Sequence, residues 1–553
     1  MAKDKLASPQ ETYDCALKNN GSVRAVAREL GMSRGAVKYR LELAAKMGFV
    51  LDKPTSGGKL VAAKARALPL PKPGQIKRYI LTSAQNNTDA HVPFFENLVA
   101  YAEMLDAEVF VGSFSYNRAA FSQKSTKRGR GPTEDDRRED WYDPIFEPYF
   151  MDEPLELAPM LEWRGELNII PTAKRPLSSL ETYTKLRSGI FPHCTFALAS
   201  VAGTADDGAK MNYTTGAATM LNFVQKKTGL EAEFHHSYGA LIVEVDHEGD
   251  WHVRQLNADP NGAFYDIAEM GTTGAVYVDG GLVTAGVDVE AVNWGDLHAR
   301  VIDPEIRDIA FSEGGILDTL RPRHQFAHDI LDFRARNHHE IKNHHRMFLR
   351  HVEGVDDVAR EIENVKELLD TMHRDFALTV VVDSNHDRAL ERWLQESDYK
   401  KDPVNAVFFL ECELDWHKRK AADPECDYHH LREALRRCGV SKDVLFLGPD
   451  DSFVLCDDGG GGIECGMHGH LGPNGSRGTP LNLSKMGRRA NTGHTHSACI
   501  MDGLYVAGTF SRLRLDYNKG PSSWSHSLIV TYPNGKRCIV TIYNGKWRGT
   551  SFS

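Results

Sequence analysis

Apolar residues recur at helical spacing through Tyr13, Ala16 and Leu17, behind a capping Ser8 and with Pro9 at the first helical position. Within GSVRAVARELGMSRGAVKYRLELA the pattern predicts an amphipathic helix from Val23 to Leu30 and a left-handed corner at Gly31. Ser33 is expected to cap a second helix that runs to about Ala45. The period is then lost: residues 51–75 are rich in Lys, Ala, Gly and Pro and read as a flexible linker. Beyond it strand and helix patterns alternate. Arg78 to Ser83 is a predicted strand, Phe94 to Asp106 a helix and Glu108 to Gly112 a strand, together a βαβ unit. Later strands include Ala240 to Val245, followed by a turn at Glu248-Gly249-Asp250.

The length of 553 residues exceeds what one hydrophobic core organises and implies two or three domains. With 41% hydrophobic and 26% charged residues, a disordered, collagenous or coiled-coil chain is excluded. Apolar runs such as Leu378 to Val382 are strand-sized, so no membrane partner is expected. Nine cysteines without a C-x-x-C pair fit neither a disulfide framework nor a thiolate zinc site, and the expected location is a reducing cytoplasm. Charge is uneven: residues 1–75 carry 14 Lys and Arg against 6 Asp and Glu, within a chain of net charge -10. A basic head is drawn to phosphates, or is simply a solvated face.

Three local features carry less. Gln85-Asn86-Asn87-Thr88 lies at a strand's C-terminal end, where open α/β sheets place ligands, although such loops are commonly only turns. Residues 124–140 are dense in charge and read as a solvated loop. TTGAAT, 214–219, lacks the Walker lysine and is expected to start a capped helix.

The head's helix, corner and helix resemble the helix-turn-helix of small bacterial regulators. In that geometry the second helix enters the major groove, which implies that Ser33, Arg34, Lys38, Tyr39 and Arg40 face DNA. A helical hairpin used only for assembly is the alternative.

Metal-ligand residue types stand at the ends of predicted strands in the last half. Asp296 and His298 follow Ala291 to Asn293; His328-Asp329-Ile330-Leu331-Asp332 comes next; Val380 to Asp383 runs into Ser384-Asn385-His386-Asp387. His468-Gly469-His470 closes a fourth strand and Gly493-His494-Thr495-His496 a fifth. This order, D-x-H, D-x-x-D, N-H-D, H-G-H and G-H-T-H, resembles the calcineurin-like metallophosphoesterases. The resemblance implies a dinuclear site in which two divalent cations about 3.5–4 Å apart clamp a phosphate and activate water. By motif position Asp296, His298, Asp329 and His496 hold the first metal, and Asp329, Asn385, His468 and His494 the second, with Asp329 as the bridge. Imidazole, carboxylate and amide donors suit manganese, iron or zinc, and manganese is expected. His386 is the implied general acid. Asp387 either orients its ring or caps the helix from Asp387 to Leu394. The family's usual glycines before the motif-two Asp and before the Asn are His328 and Ser384 in this chain. His328 reaches the substrate or simply packs; His470 is expected to support the ligands.

Arg334, Arg336, His338, His339, His344 and His345 are expected on one helix, binding DNA phosphates or forming a solvated face. Residues 396–440 read as a helical insertion. The expected fold class is α/β, with a helix-turn-helix head at 1–50, the linker at 51–75 and an α/β domain at 76–285. A C-terminal metallophosphoesterase β-sandwich flanked by helices follows at 286–553. Together with ILTSAQNN, LNIIPTA and SYGALIVEV, this arrangement resembles the large phage proteins with a C-terminal metallophosphoesterase domain. That resemblance implies a manganese-dependent nuclease, made early in infection to degrade host DNA in the host cytoplasm. DNA is then the partner, and a homo-oligomer the expected assembly. The alternatives are a small-molecule phosphomonoesterase or cyclic-nucleotide phosphodiesterase whose head serves assembly, and a DNA-binding regulator with a structural phosphoesterase fold.

Overall fold

The computed structural model describes residues 7–19, 23–32, 34–47, 64–116 and 141–548. The chain divides into two compact units, Met1–Ala63 and Lys64–Ser553.

The first unit is helical. Pro9–Lys18 opens on a complete capping box: Ser8 Oγ accepts from the Glu11 N–H and the Ser8 N–H donates to the Glu11 carboxylate. Val23–Glu29 and Arg34–Lys46 follow, and Gly31 takes the expected left-handed conformation at φ 61°. Cys15, Ala16, Val26, Met32 and Val37 form a small shared core. Ser33 lies outside the described residues, as do the Arg34 and Lys38 side chains; Tyr39 is 63% exposed and Arg40 half-buried.

The second unit is α/β. The predicted βαβ is present as Lys77–Gln85, Val92–Leu105 and Ala107–Phe114, its two strands parallel from Arg78↔Ala107 to Gln85↔Phe114. Gly239–Val245 and Trp251–Asn257 complete that four-stranded sheet.

A six-stranded sheet runs in the order Leu445–Phe446, Leu378–Val381, Pro322–Ala327, Val289–Asn293, Ser527–Thr531, Arg537–Thr541. Its first four strands are parallel. Both faces of these strands are covered, so apolar side chains are sent alternately to each side. Ala291, Phe326 and Val380 point to one side, against Leu455, Ile463 and Cys465 of a second sheet. Val292, Ala327 and Val381 point to the other, against helices that include Val358–Met372, Ala389–Glu396 and His430–Arg437.

The second sheet has eleven strands and joins sequence regions expected to lie apart. Leu198–Val201 pairs with Cys499–Met501 through Ala199↔Cys499, so a boundary at 285/286 crosses one continuous sheet. The end of the expected linker also belongs to this sheet. Arg66–Ala67 adds a parallel edge strand beside Pro154–Ala158, and the Leu68 N–H donates to the Glu156 carbonyl. Residues 51–63 of that linker lie outside the described residues, as does the charge-dense stretch 124–140.

Two further expectations are corrected. TTGAAT does not start a helix: after the strand Lys210–Thr214 the chain makes β-bridges, with Gly216 at φ 73°. A Cβ on Gly216 would fall 2.9 Å from the Gly239 Cα, so the segment is fixed by close approach to a strand. Arg334 to His345 is not one helix. Residues 335–342 are turns, the Asn337 side chain accepts from the His339 N–H, and Asn343 caps a new helix, His344–Val352. Residues 396–440 are helical as expected, chiefly through Ala406–Ala422 and His430–Arg437.

Candidate metal centre

Five strand ends deliver the site. Val289–Asn293, Pro322–Ala327 and Leu378–Val381 lead to Asp296 and His298, to Asp329, and to Asn385 and His386. Ile463–Glu464 and Arg489–Thr492 in the eleven-stranded sheet lead to His468 and to His494 and His496. Beyond the first two strands the backbones continue side by side: the Leu297, His298 and Ala299 N–H groups donate to the carbonyls of His328, Asp329 and Ile330. That ladder brings the first two motifs together.

Asp296, His298, Asp329 and His496 are all buried, and each offers one ligand atom in a group whose members lie within 4.8 Å of one another. His496 Nε2 is 3.0 Å from Asp296 Oδ2, His298 Nε2 is 3.2 Å from His496 Nε2, and His298 Nε2 is 3.7 Å from Asp329 Oδ2. The first predicted ligand set is therefore assembled. Of the second, His468 Nε2 lies 3.2 Å from Asp329 Oδ2 and the His468 and His494 rings are 5.2 Å apart. The His494 N–H donates to both Asp296 oxygens, while Asn385 is exposed.

The backbone conformation is as distinctive as the side chains. His298, Asp329, His494 and His496 have φ of 46°, 46°, 74° and 58°, the left-handed region that non-glycine residues seldom occupy. Such conformations cost on the order of 1–3 kcal/mol each and cluster where a fold holds functional groups in place. Gly493 has a separate requirement: a Cβ there would fall 2.2 Å from Asp296 Oδ1.

Charge supports a cation. Burial works against an ionised Asp296, yet His468 and His496 draw it down to about 2. Asp329 is likewise held well below the carboxylate range by His468, His386 and His298 despite its burial. Burial opposes charge on the imidazoles too, but the neighbouring aspartates raise His298 and His468 to about 9. Asp296 and Asp329 are thus buried carboxylates that favour positive charge beside them. A divalent cation held by these residues would supply such charge in place of the imidazole protons. Asp329 Oδ1 and His496 Nδ1, both buried, have no hydrogen-bond partner among the described residues, which also fits a metal-binding donor set.

His386 stands above this group, its ring 4.8 Å from that of His298. Asp387 neither orients it nor caps a helix. Asp387 Oδ1 accepts from the Leu331 N–H at 2.9 Å, its own N–H donates to Ser384 Oγ, and the helix begins only at Ala389. Ser384, where the family has glycine, therefore closes this turn. The partner that sequence reasoning left without a role is Asp332: its Oδ1 lies 3.5 Å from His298 Nδ1 and 3.9 Å from His386 Nδ1. The D-x-x-D spacing was the available signal. His328 is fully buried against Gly493 and the His468 ring, so it packs. His470 is half-buried, 5.5 Å from the His468 ring.

The expected basic helix contributes differently. Arg334 and Arg346 grip Asp516, Arg336 forms a forked pair with Asp402, and His338 Nε2 meets Arg392. The polar loop that Asp516 anchors also carries Trp524, whose ring is 4.2 Å from that of His496, and Tyr517, 6.0 Å from Trp524. Neither aromatic was singled out by the sequence pattern. Gln85 and Asn86, in the other flagged loop, are buried, with the Gln85 amide donating to the Asn222 carbonyl and the Asn86 N–H to Phe114.

Fold and site together define an α/β protein with a buried His/Asp cluster able to hold a metal ion. The chain is 37% identical over 490 residues to Protein A1 of Escherichia phage T5, covering 86% of this chain and 83% of that protein, and it belongs to that protein's family. No protein-family model and no solved structure matches it. Among the described residues no helix is long and apolar enough to cross a membrane.

Proposed function

We propose that the protein is a phage-encoded, metal-dependent phosphodiesterase that cleaves DNA, degrading host DNA in the host cytoplasm early in infection. The observation that carries this reading is the convergence of Asp296, His298, Asp329 and His496 from separate motifs onto one buried point. Asp296, His298, Asp329 and His496 would hold one cation, and Asp329 with His468, His494 and Asn385 would hold a second. Two divalent cations, manganese foremost, would supply Lewis acidity toward the phosphate and lower the pKa of the attacking water.

The chain's own residues do the rest. His386, 26% exposed on its side chain, faces the open side of the cluster and gives a proton to the departing oxygen. Asp332 supports both rings in different ways: its backbone carbonyl lies 3.2 Å from His386 Nδ1, orienting that ring, and its carboxylate faces His298 Nδ1 at 3.5 Å. The head would bind duplex DNA through Ser33, Arg34, Lys38, Tyr39 and Arg40, and its basic charge supports that role.

Incubation of the manganese-loaded protein with linear and circular DNA, alongside nitrophenyl phosphate monoesters and cyclic nucleotides, tests the reading. Rapid cleavage of DNA with slow turnover of the small esters is expected. Efficient turnover of the small esters with intact DNA would overturn it.

A further inference from the structure

The loop between the strands Leu504–Val506 and Ser527–Thr531 presents two large aromatic rings, Tyr517 and Trp524, beside the buried cluster. It is firmly tied. Asp516 is held by Arg334 at 3.0 Å and Arg346 at 2.8 Å. Asn518 bridges the Leu515 N–H and the Leu513 carbonyl; Arg514 bonds the Gly520 carbonyl. Ser523 Oγ meets Ser497 Oγ at 2.8 Å, and the Ser525 N–H donates to the His496 carbonyl. The loop is thus anchored to the metal-ligand segment and to the basic segment on the opposite side.

What these ties hold out is unusual for a polar loop. Trp524 is half-buried edge-on against the ligand His496. Tyr517, set edge-to-face against Trp524, is 52% exposed. Through Trp524, which packs on His496, Tyr517 stands at the edge of the buried cluster with much of its ring in solvent. An aromatic ring kept exposed at a fixed position makes little contribution to a core, but it suits the face of a nucleobase. Lys519 and Arg512, both exposed, add positive charge along the same loop.

We propose that Tyr517, backed by Trp524, stacks on the base of a nucleotide adjoining the scissile phosphate, so that the site takes a single or locally unpaired nucleic-acid strand. In a fully stacked duplex each base face is already covered by its neighbours, so this contact requires the nucleotide to leave the stack. The inference rests on the nuclease reading above and adds to it the form of the substrate at the moment of cleavage.

A double cycle tests it, using the full chain with manganese and a single-stranded oligodeoxynucleotide. A second substrate replaces the nucleotides on either side of one phosphate by abasic residues. Tyr517→Ala should lower kcat/KM on the base-containing strand by about tenfold, within what one stacked base contributes, whereas Tyr517→Phe should stay within about twofold. Removing the bases should cost the wild type a similar factor and cost Tyr517→Ala far less. Equal losses for Tyr517→Ala on both strands would overturn the proposal, as would a Tyr517→Phe protein as impaired as Tyr517→Ala. Because Tyr517 is exposed, its substitution leaves the core untouched; Trp524→Phe, which keeps packing on His496, should lose less than Tyr517→Ala. A wild type that hydrolyses methyl nitrophenyl phosphate but no oligonucleotide would instead sink the nuclease reading, and this inference with it.

Discussion

Two acidic clusters in the same compact unit meet opposite fates. Asp246, Glu248 and Asp250 converge closely enough to hold a cation, and the chain supplies one: Lys546 Nζ lies 2.6, 2.7 and 3.0 Å from the three carboxylates. Asp296 and Asp329 converge equally, but their neighbours are His298, His468 and His496, which can give up their protons. An ammonium ion closes the first cluster permanently. Imidazoles leave the second exchangeable, so a divalent cation can take the place of protons. The backbone makes the same distinction: the lysine-filled cluster lies on a simple turn, with only Gly249 at positive φ, whereas four non-glycine residues around the second cluster are left-handed.

The comparison can be broken most severely at Asp329. Asp329→Ala should reduce DNA cleavage by at least about a thousandfold, because the carboxylate proposed to serve both cations is lost. Elemental analysis of the purified variant should show less bound metal, and its circular dichroism should stay close to wild type. His386→Ala separates chemistry from metal binding: the rate should fall by about 10² to 10⁴ with metal content unchanged. A lost metal equivalent would make His386 a ligand.

Gly493→Ala sharpens the contrast sterically. The added methyl must displace the Asp296 carboxylate, and manganese affinity measured by titration calorimetry should weaken by about 10- to 100-fold, as for other disturbances of ligand support. Lys546→Met breaks the other cluster. Leaving three carboxylates to repel one another should cost about 1–3 kcal/mol of stability in urea melts, and Asp250→Asn in the same background should recover part of it. Metal content and DNA cleavage should not change, since Lys546 serves the fold alone.

Much of this was legible in the sequence because order and period are linear properties. Ser8 with Glu11, Gly31 and the βαβ unit announced themselves through caps and periodicity, and the ordered His/Asp motifs mark the strand ends that meet. What was hidden depends on the direction a chain takes after its motif. Nothing in N-H-D says that Asp387 turns toward the Leu331 amide while the Asp332 carbonyl, from another loop, meets His386. Left-handed backbone is foreseeable at glycine but not at His298 or Asp329. The pairing of Leu198–Val201 with Cys499–Met501 joins segments some 300 residues apart, beyond any local pattern. The break in the His-rich segment was legible in principle, since Asn337 and Asn343 compete with helix through their own side chains.

The central claim, that the buried His/Asp cluster is a metal centre that cleaves DNA, is tested most directly by one digestion. Protein dialysed against EDTA and freed of chelator is incubated with plasmid DNA, with and without added manganese, and the products are resolved on a gel. Intact plasmid is expected without metal, and extensive cleavage once manganese is restored. Undiminished cleavage by the stripped protein in excess EDTA would contradict it.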